Sequence, residues 1–172
     1  MFSLTEHAAT VVSVTNIAEK HGNQREPAIS IGLCVTGSST LLNHFNESLR
    51  TMFFQKEQLK PGALDLATDE LNELRFPLLK NPSWAKEYAG YQLRFCIGAT
   101  GKDDVLLNDV GIKGVSFNPL EGGSVQISFK AHAQPKDEHD HGRIARMLMQ
   151  ECSITLTPPD VDPSLFDDSD EE

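Results

Sequence analysis

Cysteine is scarce in this chain of 172 residues, and its pattern argues against two classes of protein. The three cysteines, Cys34, Cys96 and Cys152, are an odd number and lie too far apart for the short spacings of zinc sites. We therefore expect neither a disulfide-stapled secreted fold nor a cysteine-ligated metal site. Each cysteine stands in an apolar, strand-like run, which predicts buried, reduced thiols.

The chain also lacks a long apolar run and an N-terminal targeting pattern. Residues 1–10 contain neither the basic stretch nor the apolar core of a signal peptide, and no run approaches the roughly 18 apolar residues that span a bilayer. We expect a cytoplasmic protein that does not enter a membrane.

Motifs of catalysis are missing as well. Gly101-Lys102 is followed by Asp103 and lacks the upstream glycine of a phosphate-binding loop, and no His-Glu-x-x-His zinc motif occurs. Residues 132–141 contain three histidines and three carboxylates, but their spacing matches no closed metal site, and a polar loop explains them equally well. The sequence therefore predicts a protein that is not an enzyme, with no catalytic residue, metal site or cofactor.

Acidic charge is abundant but unevenly placed. Seven of the 25 acidic residues lie in residues 160–172, where no basic residue occurs, and the other 18 face 15 Lys and Arg in residues 1–159. The body is therefore nearly balanced, and most of the net charge of −10 belongs to the tail. Such a density of like charge predicts a disordered acidic tail, which leaves residues 1–159 as one folded domain.

Alternation of apolar and polar side chains is the strongest positive signal. It predicts strands whose apolar faces form one core, and the motif Asn-Pro-Leu-Glu-Gly-Gly (residues 118–123) predicts the turn of a hairpin over about 111–131. A shift of one residue would expose the whole apolar set, so the register is well specified. The predicted core residues are Ile29, Ile31, Leu33, Val35, Leu93, Phe95, Val115, Phe117, Val125, Ile127, Phe129, Ile154 and Leu156.

Two short helices and one long excursion interrupt the strands. Helical spacing predicts one helix from Gly37-Ser38-Ser39-Thr40 to about Arg50 and a second around residues 144–148. Residues 55–90 form the excursion, in which residues 64–74 favour one or two helical turns. With six or seven strands and no alternation of strand and helix, the predicted fold is mostly β, an antiparallel barrel or sandwich of OB-like or jelly-roll-like type.

The aromatic residues other than phenylalanine are concentrated at the end of the excursion. Trp84, Tyr88 and Tyr91 are the only tryptophan and both tyrosines of the chain, and basic residues are interleaved with them. Exposed rings and cations together are typical of a single-stranded nucleic-acid site. The alternative is that Tyr91 continues a strand into the core while Trp84 packs the excursion onto it. The predicted platform consists of Lys80, Trp84, Lys86, Tyr88, Tyr91 and Arg94.

An apolar pair, Leu165 and Phe166, stands within the tail and is followed by Asp167 and Asp168. A barrel body of modest charge with an acidic tail that contains an aromatic residue resembles the phage and bacterial single-stranded DNA-binding proteins. The resemblance implies that the body binds single-stranded DNA and that the tail recruits replication proteins and competes for the DNA groove. The runs LRFPLL, LEGGSVQISF and ITLTPP also resemble those of uncharacterised phage early-region proteins.

Two functions follow as expectations. The first is a phage-type, non-enzymatic accessory protein that binds single-stranded DNA and uses Leu165, Phe166, Asp167 and Asp168 to recruit a host or phage replication or defence protein. The second is a protein-interaction module, such as a phage inhibitor of a host or defence enzyme, whose acidic surface mimics DNA. The sequence leaves homo-oligomer formation open.

Overall fold

The architecture is known from a computed structural model that describes residues 1–21, 24–56, 71–98 and 100–160. In chain order these ranges contain β1 (Leu4–His21), β2 (Gln24–Ser38), a 3₁₀ helix (Ser39–His44), α1 (Ser48–Phe53), β3 (Phe54–Lys56), β4 (Leu71–Leu74), β5 (Ser83–Trp84), β6 (Tyr88–Cys96), β7 (Val105–Leu120), β8 (Ser124–Ala133), α2 (Glu138–Arg146) and β9 (Glu151–Thr157).

Six of these strands form a closed antiparallel barrel. β1 pairs with β2 and β9, β2 pairs with β8, and β8 pairs with β7. β6 closes the ring by pairing with both β7 and β9. β5 extends the sheet along the part of β7 that β6 leaves unpaired, and β3 and β4 form a separate two-stranded sheet. The prediction of a mostly β, antiparallel barrel is confirmed, and the closure corresponds to its OB-like form.

The interior of the barrel is apolar, as the alternation predicts. All thirteen predicted core residues are buried, with at most 2% of any of them exposed. Successive residues of a strand point to opposite faces of the sheet, so every second residue of each strand faces the interior of the barrel. An apolar residue at each of these positions is enough to form the core. The three cysteines are free thiols and partly buried.

Strand β7 differs from the sequence-based expectation, which divided it into residues 105–107 and 111–117. The buried residues change parity twice along one continuous strand, after Leu107 and again after Ile112. Asp109 and Gly114 adopt positive φ angles of 52° and 59° near these changes, and the pairing with β8 shifts register between Lys113 and Ser116. Such bulges insert one residue and reset which side chains face the core, which interrupts the period of two.

One end of the barrel is closed by the segment that follows β2. The predicted single helix to Arg50 is wrong in detail, because the chain forms a 3₁₀ helix and then α1. The side chain of Asn46 accepts a hydrogen bond from the backbone N–H of Ser48 (2.8 Å), which forms a local turn between the two helices. Phe2, Leu42 and Phe53 are buried at this end.

The opposite end is covered by α2. The helix begins earlier than predicted, because Asp137 caps its start by accepting a hydrogen bond from the backbone N–H of Asp140 (2.8 Å). It ends at Arg146, before Met147. Ile144 is fully buried against the barrel.

The excursion is partly extended. Residues 71–74 form strand β4, so the predicted helical turns are wrong there, whereas residues 64–70 lie outside the described residues. Within the described part of the chain, no helix has the length and apolar character needed to cross a membrane.

Candidate binding surfaces

Trp84 and Tyr88 lie together in an aromatic cluster at the end of the barrel that Phe2 closes. The indole N–H of Trp84 donates a hydrogen bond to the hydroxyl oxygen of Tyr88 (3.0 Å). The Trp84 ring lies 6.1 Å from Phe45 and 6.2 Å from Phe117, measured between ring centroids. Both Trp84 and Tyr88 are half-buried, so their rings are committed in part to packing.

Tyr91 is buried rather than exposed. Only 1% of the residue is accessible to solvent. The pKa of its hydroxyl is raised above the ordinary value, mainly by burial and to a smaller extent by the nearby Tyr88. The hydroxyl forms no hydrogen bond with a described residue. Tyr91 therefore belongs to the core and offers no open face for a stacked base.

Replacing Tyr91 by phenylalanine is expected to increase the free energy of unfolding by about 1 kcal/mol, because the substitution removes a buried hydroxyl that has no partner. Tyr88→Phe is the matched control, and it should lower the free energy of unfolding by about 1 kcal/mol because Trp84 loses its acceptor. Urea denaturation measures both, and a destabilised Tyr91→Phe protein would contradict the assignment.

The cations of the predicted platform occupy different settings. Lys86 is exposed, and its Nζ lies 5.3 Å from the centroid of the Tyr88 ring. Lys80 is exposed in the loop that precedes β5. Arg94 is bonded to Asp104 (Nε to Oδ2, 2.7 Å), whose pKa is lowered by the backbone N–H of Ile97 and by Arg94 itself. Lys86 is therefore the cation that accompanies the rings, whereas Arg94 already has a counter-charge.

The tail residues Leu165, Phe166, Asp167 and Asp168 lie outside the described residues, so their role stays a prediction. The chain approaches the tail next to β6, because a β-carbon on Gly90 would lie 3.4 Å from Cβ of Pro159.

A surface that the sequence-based reasoning missed is an exposed apolar loop, residues 75–80. The exposed fractions are 51% for Phe76, 95% for Leu78 and 39% for Leu79. Scattered apolar residues are ordinary on a protein surface, but three in four consecutive positions form a patch. The signal in the sequence is the run Phe-Pro-Leu-Leu, in which apolar and polar residues do not alternate.

A second surface is a polar barrel face formed by the outer sides of β1, β2, β7 and β8. Lys113 and Lys130 lie directly opposite each other on β7 and β8. Lys113 also lies 3.5 Å from a carboxylate oxygen of Glu87, whereas Lys130 is exposed and forms no ion pair with a described residue. No Asp or Glu occurs in the strand segments that define this face, residues 10–15, 30–38, 111–118 and 124–132.

Residues of the histidine-rich segment, 132–141, form hydrogen bonds that stabilise the fold. Asp137 caps α2, and the His141 ring forms a hydrogen bond with the side-chain oxygen of Asn16 (3.0 Å). Among the described residues, no group of three or more histidine, cysteine or carboxylate side chains is placed to hold a metal ion. Burial raises the pKa of the Cys152 thiol to about 11, so this thiol is protonated at neutral pH.

Comparisons of the chain with protein-family models, curated proteins and solved structures found no match. The chemistry of the surfaces described above therefore carries the functional assignment.

Proposed function

We propose that this chain is a protein-interaction module that docks on another protein through the apolar loop, residues 75–80. The observation that carries the proposal is the exposure of Phe76, Leu78 and Leu79 on one short loop. Full burial of an exposed large apolar side chain contributes about 1.5–3 kcal/mol, so Leu78 is the main anchor, and the partly exposed Phe76 and Leu79 add to it.

The loop is held in shape before any partner binds. The backbone N–H of Arg75 donates to the carbonyl of Phe53 (2.9 Å), and that of Leu79 donates to the carbonyl of Phe76 (3.0 Å). Pro77 further restricts the turn between them. A loop that is ordered in advance loses little conformational entropy on binding, which favours tight association.

The charges around the loop indicate the partner's chemistry. Arg75 and Lys80 are exposed at its two ends. We infer an apolar pocket whose rim carries carboxylates, because opposite charges at the rim increase the rate and selectivity of association. The acidic tail would add a second contact to a basic region of the same partner, and a host or phage replication or defence protein is the class proposed.

The test is a double substitution, Phe76→Ser with Leu78→Ser. We expect it to weaken binding of a purified partner about 100-fold, because two anchors are lost, and to leave thermal unfolding unchanged, because both side chains are exposed. The matched control is Leu148→Ser with Met149→Ser, which removes two exposed apolar residues from the segment between α2 and β9.

The partner is first identified by capture from host lysate, once with the full-length chain and once with a variant that lacks residues 160–172. Cross-linking then locates the residues of this chain that contact the partner. Equal affinity of the loop variant and the control variant would refute the loop as the docking surface. Loss of capture on tail deletion alone would assign recruitment to the tail instead.

Single-stranded DNA binding is the second candidate, and the polar barrel face favours it. Like charges directly opposite each other on paired strands destabilise a sheet, so Lys113 and Lys130 would gain from a shared anion. Hydroxyl and amide side chains surround them, and such groups commonly contact nucleic-acid phosphates.

If DNA binds at this face, Lys130→Ala should reduce the slope of log affinity against log salt by about 1, since one phosphate contact is lost. Lys102→Ala is the control, because Lys102 is an exposed lysine in the loop between β6 and β7. Fluorescence anisotropy with a labelled oligonucleotide at several salt concentrations measures both. The absence of binding at low salt would exclude this second function.

A further inference from the structure

A polar cavity of about 440 Å³ lies between the 3₁₀ helix, α1, β4 and the turn that joins β7 to β8. Among the described residues that line it, Arg50 is the only charged one. Ser38 and Ser124 are directly opposite each other on β2 and β8, and Thr40 and Asn72 also contribute polar side chains to the wall. The described part of the wall thus combines one guanidinium group with several hydroxyl groups, and none of its residues is Asp or Glu.

Arg50 is anchored but incompletely bonded. Its Nε donates to the hydroxyl oxygen of Ser39 (3.1 Å), and only 1% of Ser39 is exposed. Neither terminal nitrogen of the guanidinium donates a hydrogen bond or forms an ion pair with any described residue. Half-burial of this cation is unfavourable, because the guanidinium has lost part of its hydration and has only the bond to Ser39, and no counter-charge, among the described residues in compensation.

The wall around Arg50 is closely fitted. A β-carbon on Gly123 would lie 2.8 Å from Oδ1 of Asn72 and 2.9 Å from the carbonyl oxygen of Leu71, so β4 lies directly on the glycine turn. The backbone N–H of Gly122 donates to the carbonyl of Asn72 (3.0 Å), and that of Ser39 donates to the carbonyl of Gly123 (2.8 Å). These bonds join three segments and hold the polar groups in place before a ligand arrives.

We propose that this cavity binds a phosphate group. The planar guanidinium presents two parallel N–H donors that match two phosphate oxygens, and the hydroxyl groups of Ser38, Thr40 and Ser124 can donate to the remaining oxygens. A carboxylate has only two oxygens and would use fewer of these donors. The phosphate comes from one of two sources, inorganic phosphate or the phosphate of a nucleotide chain. The site is independent of the apolar loop, which lies outside its lining.

The experiment uses the full-length chain and the variant Ser124→Asp, which puts a carboxylate into the cavity without touching the bond between Arg50 and Ser39. Thr157→Asp is the matched control, because it adds the same charge at an exposed position of β9, on the opposite side of the barrel. Phosphorus NMR titration measures inorganic phosphate, and anisotropy measures a short oligothymidine with or without a 5′-phosphate. Thermal unfolding establishes that both variants fold.

We expect the wild type and Thr157→Asp to bind at least one of the probes saturably, and Ser124→Asp and Arg50→Met to bind it about tenfold more weakly or worse. Preference for the 5′-phosphorylated oligonucleotide, competed by inorganic phosphate, would identify a terminal phosphate as the source. Equal binding of both oligonucleotides would identify the internal phosphates, and binding of inorganic phosphate alone would identify the free ion. The proposal is overturned if no probe binds the wild type saturably, or if Ser124→Asp binds as well as Thr157→Asp.

Discussion

Replacing Phe117 by alanine is expected to lower the free energy of unfolding by about 3–5 kcal/mol. Phe117 is 1% exposed and lies at the centre of the aromatic packing, with ring centroids 4.9 Å from Phe45, 6.3 Å from Phe53 and 6.2 Å from Trp84. Alanine would remove these contacts and leave a cavity that the paired strands on either side cannot close.

Urea denaturation followed by circular dichroism measures this effect. Phe76→Ala is the matched control, because it deletes the same atoms from a ring that is 51% exposed, and we expect it to change the free energy of unfolding by less than about 0.5 kcal/mol. A Phe117→Ala protein as stable as the control would mean that this end of the barrel is packed differently from the structure.

Replacing Trp84 by alanine is expected to lower the free energy of unfolding by about 2–3 kcal/mol, less than for a fully buried aromatic residue because Trp84 is half-buried. The substitution removes edge-to-face contacts with Phe45 and Phe117 and the hydrogen bond to Tyr88. Lys86→Ala is the control, and its effect should stay within about 0.5 kcal/mol because Lys86 is exposed.

The same pair of variants tests the aromatic platform predicted from the sequence. If Trp84 has mainly a packing role, Trp84→Ala loses stability, and any loss of oligonucleotide binding follows the fraction of protein that unfolds. A Trp84→Ala protein of full stability whose oligonucleotide affinity falls by about 1–3 kcal/mol would instead support base stacking at this position. Thermal unfolding and anisotropy on the same samples distinguish the two results.

The sequence predicted only some features of the residues assigned to the platform, whose binding role stays a prediction. Trp84 and Tyr88 are close in sequence and also meet in space, as their spacing indicates. The exposure of each ring depends on Phe45 and Phe117, which are distant in the chain. Arg94 belongs to the predicted platform because basic residues are interleaved with the aromatic ones, yet its partner Asp104 comes from the loop between β6 and β7. Local spacing predicts proximity, but it does not predict burial or charge pairing.

The apolar loop and the Arg50 cavity were missed for a related reason. Phe76, Leu78 and Leu79 look like any short apolar run in the sequence, and only the structure shows that they are exposed. Arg50 looks like a surface cation of a short helix, and its surroundings include residues from β2, β4 and the turn before β8. Both surfaces depend on how separate segments meet.

By itself, the sequence determined that this is an antiparallel β-protein and which alternating residues of its strands, such as those of β2 and β8, face the core. In β2 and β8, for example, every second side chain faces the interior, so the alternation of apolar and polar residues in the sequence identifies the core residues directly. Only the tertiary structure decided that six strands close into a barrel, that β7 runs unbroken through two bulges, that Tyr91 is buried and that Leu78 is exposed. The physical reason is that strand pairing, ring packing and exposure are set by contacts between residues far apart in the chain, which no local period encodes.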